Sequence, residues 1–392
     1  MPTAVLFAPP PQPGMAGVPI VGGVSALDRQ LRQVRRAGLV PIVVDDRPLD
    51  AGTLDGDLLF IDAGVVLDDL IVVAMAAAIA PAIATWPAPT GFGTERIDAH
   101  DSAAGIALYP VELVRATMAE LGEWDLAPTL LRAALAAGAR RIDLAALPVF
   151  DAGLGRDVAL VWARPDDADS AKSATAVLIA AAQPGGRDWV QRWLHAPVED
   201  AVVRLLLPLP LPADLLMSAG IVAAAGAVFA FATGWLATGL MLAIVTGPLA
   251  GVAAKLARIR CRRARLDSTA IDIAPYAWFA AAAAHFAAIG VEAAWPLASL
   301  LTGFMLADRL QRGFFRRLTG RPLDTAGLFE QRLAEVAARR DTLLWTWVPF
   351  AIVREWTAGF AVLAAYATAG FFVAQWRVFK RLAARTQLPP AP

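Results

Sequence analysis

Charged and small residues are concentrated in one segment between two apolar stretches. Residues 246–272, TGPLAGVAAKLARIRCRRARLDSTAID, hold six Lys or Arg side chains between positions 255 and 265, and Asp272 begins the next apolar stretch. One interpretation is that the basic residues only mark the cytoplasmic side of a membrane. The other is that the spacing of the small and polar residues is the remnant of an active site. Both interpretations depend on the elements that position this segment.

Other residue types offer few routes to chemistry. The three histidines, His100, His195 and His285, are isolated in sequence, and Cys261 is the single cysteine. Neither a zinc-type ligand set nor a disulfide within the chain is therefore expected. The chain of 392 residues has 35 basic and 35 acidic side chains, so its net charge does not favour nucleic acid as a partner.

Apolar stretches of membrane-spanning length begin near residue 213. The sequence predicts an all-α bundle of six transmembrane helices. The fifth is short and contains Pro349, so we expect it to include residues from Ala337 onward. The predicted spans are 214–232, 235–254, 269–290, 293–307, 342–353 and 357–376.

The loop charges predict the orientation of these spans. The 255–265 loop, the connection after the fourth span and the C-terminal tail are rich in Arg, whereas ATGW, IGVEA and REWT together hold one Arg and two Glu. The N-terminal MPTAVLFAPPPQPG lacks the basic region and the long apolar run of a signal peptide. We therefore expect a multi-pass protein of the inner (cytoplasmic) membrane with both termini cytoplasmic.

The first half of the chain alternates predicted strands and helices. TAVLFA and LVPIVVDD are short apolar runs, and ALDRQLRQVRRAG between them has helical spacing and a terminal Gly, which is the pattern of a βαβ unit. DLLFIDAGVVL and RRIDLAALPV predict further strands, and VELVRATMAEL and LAPTLLRAALAAG predict helices. The fold class is an α/β sheet of Rossmann-like, nucleotide-binding type.

Residues 1–180 resemble a sugar-phosphate nucleotidyltransferase domain, most clearly in GVSALDRQLRQVRRAGLVPIVVDD. In that family a Gly-rich loop with an Arg and a Lys holds the nucleotide phosphates. Here the loop is APPPQPGMAGVPIVGG, without a cation and with prolines that remove backbone donors, so we expect no triphosphate binding. In GDLLFIDAGVVLDD, Asp62 falls on the family's metal-binding Asp; a turn or helix-cap role is the alternative.

Residues 181–212 and 213–392 resemble the membrane domain of CDP-alcohol phosphotransferases. Gln183-Pro184-Gly185-Gly186 stands for that family's Lys-Pro-x-Asp-Gly element, and Pro212-Ala213 stands for its Pro-Asn pair. The two domains together resemble bifunctional inositol-phosphate cytidylyltransferase and phospho-inositol transferase proteins. The segment 187–207 also predicts an interfacial amphipathic helix, with Trp and aliphatic residues toward lipid and arginines toward head groups: Trp189, Trp193, Val202, Leu206, Arg187, Arg192 and Arg204.

The family signature is Asp-x-x-Asp-Gly-x-x-Ala-Arg, eight residues, Gly, three residues, Asp, three residues, Asp. Its four carboxylates hold two divalent cations that bind the CDP diphosphate, and the last Asp acts as general base. Three of the four acids are missing here, and one residue of slippage would bring in Asp267 as a substitute. The aligned positions are Gly247, Ala250, Gly251, Ala254, Lys255, Ala264, Ser268 and Asp272.

The resemblance therefore leaves two classes of function. The first is a membrane pseudoenzyme or partner in phospholipid or lipid head-group synthesis, with membrane lipids as partners and no cofactor. The second is a divergent phosphotransferase that uses Mg²⁺ or Mn²⁺ on a CDP-alcohol or CDP-lipid, with Asp272 as the catalytic residue.

Two structural expectations follow from the lost acids. An intramembrane acid normally faces the bundle interior and finds a partner, so we expect Asp272 to pair with Lys255 or with an arginine of the intervening loop. The small-residue runs AAAGA and AAAAAH permit a homodimer through close helix contact, although packing within one bundle is the alternative.

Overall fold

The computed structural model forms two compact units. It describes residues 3–7, 20–44, 49–50, 52, 54–87, 95–120, 125–147, 150–151, 154–158, 160–185, 188–262, 265–266 and 268–386. The N-terminal unit comprises Met1–Asp151, Asp157–Ala182 and Arg258–Arg262, and the C-terminal unit comprises Ala152–Arg156, Gln183–Ala257 and Arg263–Pro392.

Short strands are distributed over the first 163 residues. Their bounds are β1 Thr3–Phe7, β2 Ile20–Val21, β3 Val24–Ser25, β4 Val40–Val44, β5 Asp57–Ile61, β6 Val66–Leu67, β7 Ala82–Pro87, β8 Asp101–Pro110, β9 Arg140–Asp143, β10 Phe150–Asp151, β11 Arg156–Asp157 and β12 Trp162–Ala163. The helices of this part are α1 Ala26–Arg36, α2 Asp69–Ala76, α3 Val111–Glu120, α4 Leu126–Ala136 and α5 Ala168–Ala181.

The main sheet of the N-terminal unit has six strands in the order β4-β1-β5-β8-β7-β9. Strands β4, β1 and β5 are mutually parallel, and β1-α1-β4 is the βαβ unit that the sequence predicts. Strand β8 runs antiparallel to both β5 and β7, so the sheet is mixed. The α/β class is confirmed, while the Rossmann-like expectation did not include an inserted antiparallel strand.

Both faces of this sheet are covered. Because side chains alternate along a strand, Ala4 and Leu6 of β1 pack with Val34 of α1 and Ile71 of α2. Val5, between them, belongs to the opposite core, which includes residues of α3 and α4. The parallel strands β1 and β5 therefore end at the same edge, between two helical layers.

The C-terminal unit is helical. It starts with a π-helical turn, Gln191–His195, and continues with α6 Ala196–Leu206, α7 Ala213–Ala232, α8 Leu236–Ile259, α9 Thr269–Ala288, α10 Ala294–Thr319, α11 Leu328–Glu335, α12 Arg340–Ile352 and α13 Trp356–Thr386. Among the described residues, three helices are long and apolar enough to cross a membrane: Ala213–Ala232, Leu236–Ile259 and Trp356–Ala383.

Helices α9, α10 and α12 lie at the other three predicted spans. Helix α12, at the fifth predicted span, begins at Arg340. The expected extension of this helix back to Ala337 is therefore not observed. Its 13 residues cover about 20 Å at the α-helical rise, which is less than the roughly 30 Å hydrocarbon core.

Alanines and aromatic rings form the core of this bundle. Phe231, Trp278, Phe279, Trp347 and Phe360 are all buried within one cluster. The small-residue runs contribute to the same cluster, because their buried members pack against these rings: Ala224, Ala227, Ala281, Ala282 and Ala283. These alanines are therefore used in packing within the chain.

Candidate functional site

Lys255 is buried in the C-terminal unit and lies between two acids. It is 2% exposed on α8, and its Nζ is 2.8 Å from Glu199 Oε2 and 2.7 Å from Asp200 Oδ1. Gln183 Nε2 donates a 2.5 Å hydrogen bond to the same Asp200 oxygen. We call Gln183, Glu199, Asp200 and Lys255 the lysine cluster.

The helical spacing of the segment 189–206 explains why an acid of the lysine cluster faces the interior. His195, Glu199 and Val203 recur every four residues, and all three are buried on one face of the helical segment 189–206. The opposite face exposes Trp193, Arg192 and Arg204, as the predicted interfacial helix requires, but Val202 and Leu206 are only half-exposed and Arg187 lies outside the described residues. The sequence analysis did not predict that the inner face would carry charge.

Gly251 provides the space that Glu199 occupies. It lies one helical turn before Lys255, and a Cβ atom at this position would be 2.3 Å from Glu199 Oε1 and 2.5 Å from its Cδ. Any side chain at position 251 would therefore displace the carboxylate from the lysine. A glycine at position 251 therefore permits the close approach of the Glu199 side chain.

A second polar site lies beside α12, in a cavity of about 240 Å³. Its described lining has three arginines and two aspartates, together with a glutamine: Gln191, Asp272, Arg309, Arg339, Arg340 and Asp341. Arg340 donates to Asp341 at 2.7 and 3.2 Å, and Gln191 Nε2 donates to Asp341 Oδ2 at 2.8 Å. We call this site the arginine pocket; its lining has a formal charge of +1.

Gly247, the first position of the family frame, faces this second site. A Cβ atom at residue 247 would be 3.1 Å from both Asp341 Oδ1 and His195 Cε1. The space next to Gly247 is thus taken by Asp341, which comes from α12. His195 Nε2 accepts a 3.4 Å hydrogen bond from Trp345. Its buried Nδ1 has no hydrogen-bond partner among the described residues and is 3.8 Å from Asp341 Oδ2.

Asp188 adds a buried acid next to these groups. It is 0% exposed, and its Oδ1 accepts a 2.8 Å hydrogen bond from the Gln191 backbone N–H. Burial raises the pKa of Asp188 above its ordinary value, and the nearby carboxylate of Asp341 acts in the same direction. The hydrogen bond from the Gln191 backbone opposes this shift most, and the nearby Arg339 opposes it less.

The remaining frame positions are peripheral to the two sites. Ala250 packs at the edge of a small apolar cluster with Met217, Ala253 and Ile271, and Ala254 is exposed. Ser268 is exposed and its Oγ donates to Asp272 Oδ2 at 3.2 Å. Ala264 and Asp267 lie outside the described residues.

The expected pair between Asp272 and Lys255 is wrong. Lys255 is buried against the inner face of α6, whose two acids satisfy it, whereas Asp272 is exposed in the first turn of α9. The Asp272 backbone carbonyl accepts a 3.3 Å hydrogen bond from Arg309 of α10, which lies outside the loop that we expected to supply the cation. An exposed carboxylate has no need of a buried partner.

Arginines of the 255–265 loop make contacts within the N-terminal unit. Arg258 pairs with Asp151, and Arg32 Nη1 donates to the Arg260 carbonyl at 2.6 Å. Arg29 Nη1 donates to Cys261 Sγ at 3.3 Å. The charges of this loop therefore have a structural use in addition to any effect on membrane orientation.

The donor set does not fit a two-cation centre. Among the described residues, no group of three or more His, Cys, Asp or Glu side chains is arranged to hold a metal ion. Glu199, Asp200 and Asp341 each contact a Lys or Arg side chain. Two dications would need several anionic oxygens free of such partners. The arrangement is suited to binding an anion near the arginines.

Sequence reasoning missed Glu199, Asp200, Asp341 and Gln191. The first two form an acidic pair within an apolar helix, and the four-residue spacing of Glu199 from His195 was a usable signal. Arg340-Asp341 is a charged pair at the start of an apolar run, which is a second signal. Neither signal identifies Lys255 as the partner of Glu199 or Gln191 as a partner of Asp341, because these contacts join residues far apart in the chain.

Asp62 lies directly after β5 in the N-terminal unit. It lines a cavity of about 590 Å³, and Arg164 Nη1 is 3.8 Å from its Oδ2. Burial raises the pKa of this carboxyl, Arg164 opposes the shift and Glu95 adds to it. The loop 8–19, which we expected to lack phosphate-binding groups, lies outside the described residues.

No protein-family model matches this chain, and no curated protein matches it significantly.

Proposed function

We propose that the C-terminal unit is a six-helix membrane bundle of CDP-alcohol phosphotransferase type that no longer catalyses transfer. In this proposal it acts as a partner in phospholipid or lipid head-group synthesis and binds a phosphate-bearing lipid or nucleotide without reacting it. The observation that carries the proposal is the lysine cluster. It joins the linker residue Gln183 and the frame residue Lys255 through acids of α6.

The frame glycines support the loss of the metal centre. At Gly251 and Gly247, where the family has its invariant Gly and its first Asp, this chain places Glu199 and Asp341 from other helices. Each of these acids contacts a fixed cation of the protein. Internal ion pairs then take over the stabilising role that two dications have in the active family.

The arginine pocket supports binding of a phosphate group. Arginine is the residue of choice for planar, bidentate recognition of phosphate. Among the described residues, Arg309, Arg339 and Arg340 line the pocket together with Asp272 and Asp341. Arg339 also pairs with Asp324 and Arg340 with Asp341, so a phosphate would bind at arginines that internal acids already hold in place. Arginines bind the phosphate of a lipid and the phosphate of a nucleotide in the same way. A competition experiment between a lipid and a nucleotide shows which of the two the pocket prefers.

The test is release of CMP by the purified full chain. CDP-diacylglycerol and CDP-alcohols are incubated with it in detergent, with Mg²⁺ or Mn²⁺ and each candidate hydroxyl acceptor. We expect no CMP above a protein-free control, together with saturable binding of the CDP compound that Arg340→Gln weakens. Metal-dependent CMP release that Asp272→Asn abolishes would establish the alternative, a divergent active phosphotransferase.

The proposal places both termini and the 255–265 loop in the cytoplasm. The distribution of arginine supports it, because α8, α10 and α13 end near basic residues whereas the opposite turns have almost none. In a background without Cys261, single cysteines at Gly290 and Ala358 should react with an impermeant thiol reagent added from outside. Labelling of a cysteine at Arg262 in intact cells would contradict this orientation.

A further inference from the structure

The cavity next to Asp62 is positioned as a ligand site of the N-terminal unit. It lies where the parallel strands β1 and β5 end, at Phe7 and just after Ile61, and ligands of α/β sheets bind at this edge. Its volume of about 590 Å³ is within the range of small-molecule pockets. Its described lining combines one aromatic wall with a few charged groups.

The aromatic wall consists of three rings that lie side by side in space. The ring centroids of Phe7 and Phe60 are 5.8 Å apart, and those of Phe60 and Tyr109 are 5.4 Å apart. Ile83 and Leu131 extend the apolar surface. Aromatic faces carry partial negative charge and attract an organic cation within about 6 Å.

The charged groups of the lining are mostly acidic. Among the described residues, Asp62, Glu95 and Asp125 line the cavity together with one cation, Arg164, so the described lining has a formal charge of −2. Arg164 Nη1 is 3.8 Å from Asp62, and Glu95 has a 3.5 Å contact with Arg132, whose side chain is 73% exposed. The N-terminus of α4 adds about half a positive charge, so the lining remains net negative.

Asp125 and Tyr109 are two further polar groups of the described lining. Asp125 is the N-cap residue of α4, yet its carboxylate makes no capping hydrogen bond. Tyr109 is 3% exposed as a whole residue and lines the cavity. Its ring is buried, and a tyrosine hydroxyl in such a position normally pairs with a polar group, which a ligand in the cavity can supply. Burial and the carboxylates of Asp62 and Glu95 raise the pKa of Tyr109, so the hydroxyl keeps its proton and can donate.

Gly105 permits this arrangement. Its φ of +74° is unfavourable for other residues, and a Cβ there would be 3.2 Å from Asp62 Oδ2 and 2.8 Å from Val65 Cγ2. The glycine lets strand β8 pass close to Asp62 and leaves the carboxylate facing the cavity.

We propose that this cavity binds an organic ammonium compound that carries a hydroxyl group, that is, an amino alcohol. The ammonium group contacts the aromatic wall and the carboxylates of Asp62 and Glu95, and the ligand hydroxyl pairs with Tyr109. A nucleoside triphosphate is disfavoured because its charge has the same sign as the lining. The proposal concerns the N-terminal unit alone and does not rest on the function proposed for the membrane unit.

The test is titration calorimetry on the full chain in detergent, with choline and ethanolamine as probes and inositol as the uncharged comparison. We expect saturable binding of both ammonium compounds and none of inositol. Glu95→Gln should weaken choline binding at least tenfold, whereas Glu112→Gln, on the exposed face of α3, should leave it unchanged. The Glu95 side chain is 38% exposed, so this substitution should not disturb folding.

Tyr109→Phe separates the hydroxyl contact from the cation contact. It should weaken choline about three- to tenfold, the value of one hydrogen bond, and leave tetramethylammonium, which has no hydroxyl, unchanged. The proposal is overturned if neither choline nor ethanolamine binds at about 10 mM, a concentration chosen so that even weak binding is detected. Binding of inositol or of Mg²⁺-CTP in their place would overturn it equally.

Discussion

Replacement of Lys255 by Met tests whether the lysine cluster holds the helical unit together. The Lys255 side chain is 1% exposed, and methionine can fill much of its volume without the charge. The substitution leaves two carboxylates next to each other without a cation. Glu199 is affected most, because its side chain is only 11% exposed, whereas Asp200 is 23% exposed and keeps its hydrogen bond from Gln183.

The expected loss follows from this burial. Removing one member of a buried ion pair costs about 3–5 kcal/mol. We expect a value of about 3 kcal/mol, at the low end of that range, because Asp200 is partly solvated and hydrogen-bonded. For a unit of this size each kcal/mol changes Tm by about 2–4 °C, so Lys255→Met should lower Tm by about 6–12 °C.

The assay is thermal unfolding of the purified protein in one detergent at pH 7. Lys380→Met is the matched control, because Lys380 is exposed in the same unit and should change Tm by less than about 2 °C. Adding Glu199→Gln and Asp200→Asn to Lys255→Met should recover at least half of the loss, since neutral amides need no cation. The reasoning fails if Lys255→Met is no less stable than Lys380→Met.

Four further predictions follow. Gly251→Ala should destabilise by about 1–3 kcal/mol through overpacking, since its Cβ would be 2.3 Å from Glu199 Oε1; an unchanged Tm would contradict that contact. Asp272→Ala should change the free energy of unfolding by no more than about 0.5 kcal/mol, because the residue is exposed; a larger loss in thermal unfolding would restore a structural role. Calorimetry with Mg²⁺-CTP should show no binding at micromolar concentrations, and tight binding would revive a nucleotidyltransferase. Choline affinity, measured by calorimetry, should fall as the pH is lowered from 7 through the raised pKa of Asp62. Choline keeps its charge while Asp62 takes up a proton, so the attraction is lost; an affinity that stays unchanged down to the ordinary Asp pKa of 3.8 would exclude Asp62 as a ligand.

Many of the helices and strands could be predicted from the sequence, although β7, β8, α2 and α5 were not. Strands and helices form at the expected places in the first half, from TAVLF at β1 to RRID at β9. Helices also form at all six apolar stretches, and α7 begins at Ala213, where the composition changes. These features depend on the spacing of neighbouring residues, because helix and strand periodicity is read within a few turns of chain.

The order of the strands in the sheet could not be predicted from the sequence in the same way. The sequence analysis predicted β1, β4, β5 and β9, but it predicted neither β8 nor its position in the middle of the sheet, antiparallel to both neighbours. Pairing is set by contacts between distant segments, which local alternation does not specify. The antiparallel insertion also brings Gly105 against Asp62 and so shapes one wall of the cavity.

The sequence by itself determined that residues 246–272 concentrate positive charge between two apolar stretches. Only the tertiary structure decided which acids meet Lys255, since Glu199 and Asp200 lie more than fifty residues away along the chain. A buried charge takes whichever partner the packing of the helices brings within reach, because the cost of leaving it unpaired exceeds any local preference. Sequence spacing could rank Asp272 as a candidate partner, but the packing of α6 against α8 places other acids beside the lysine.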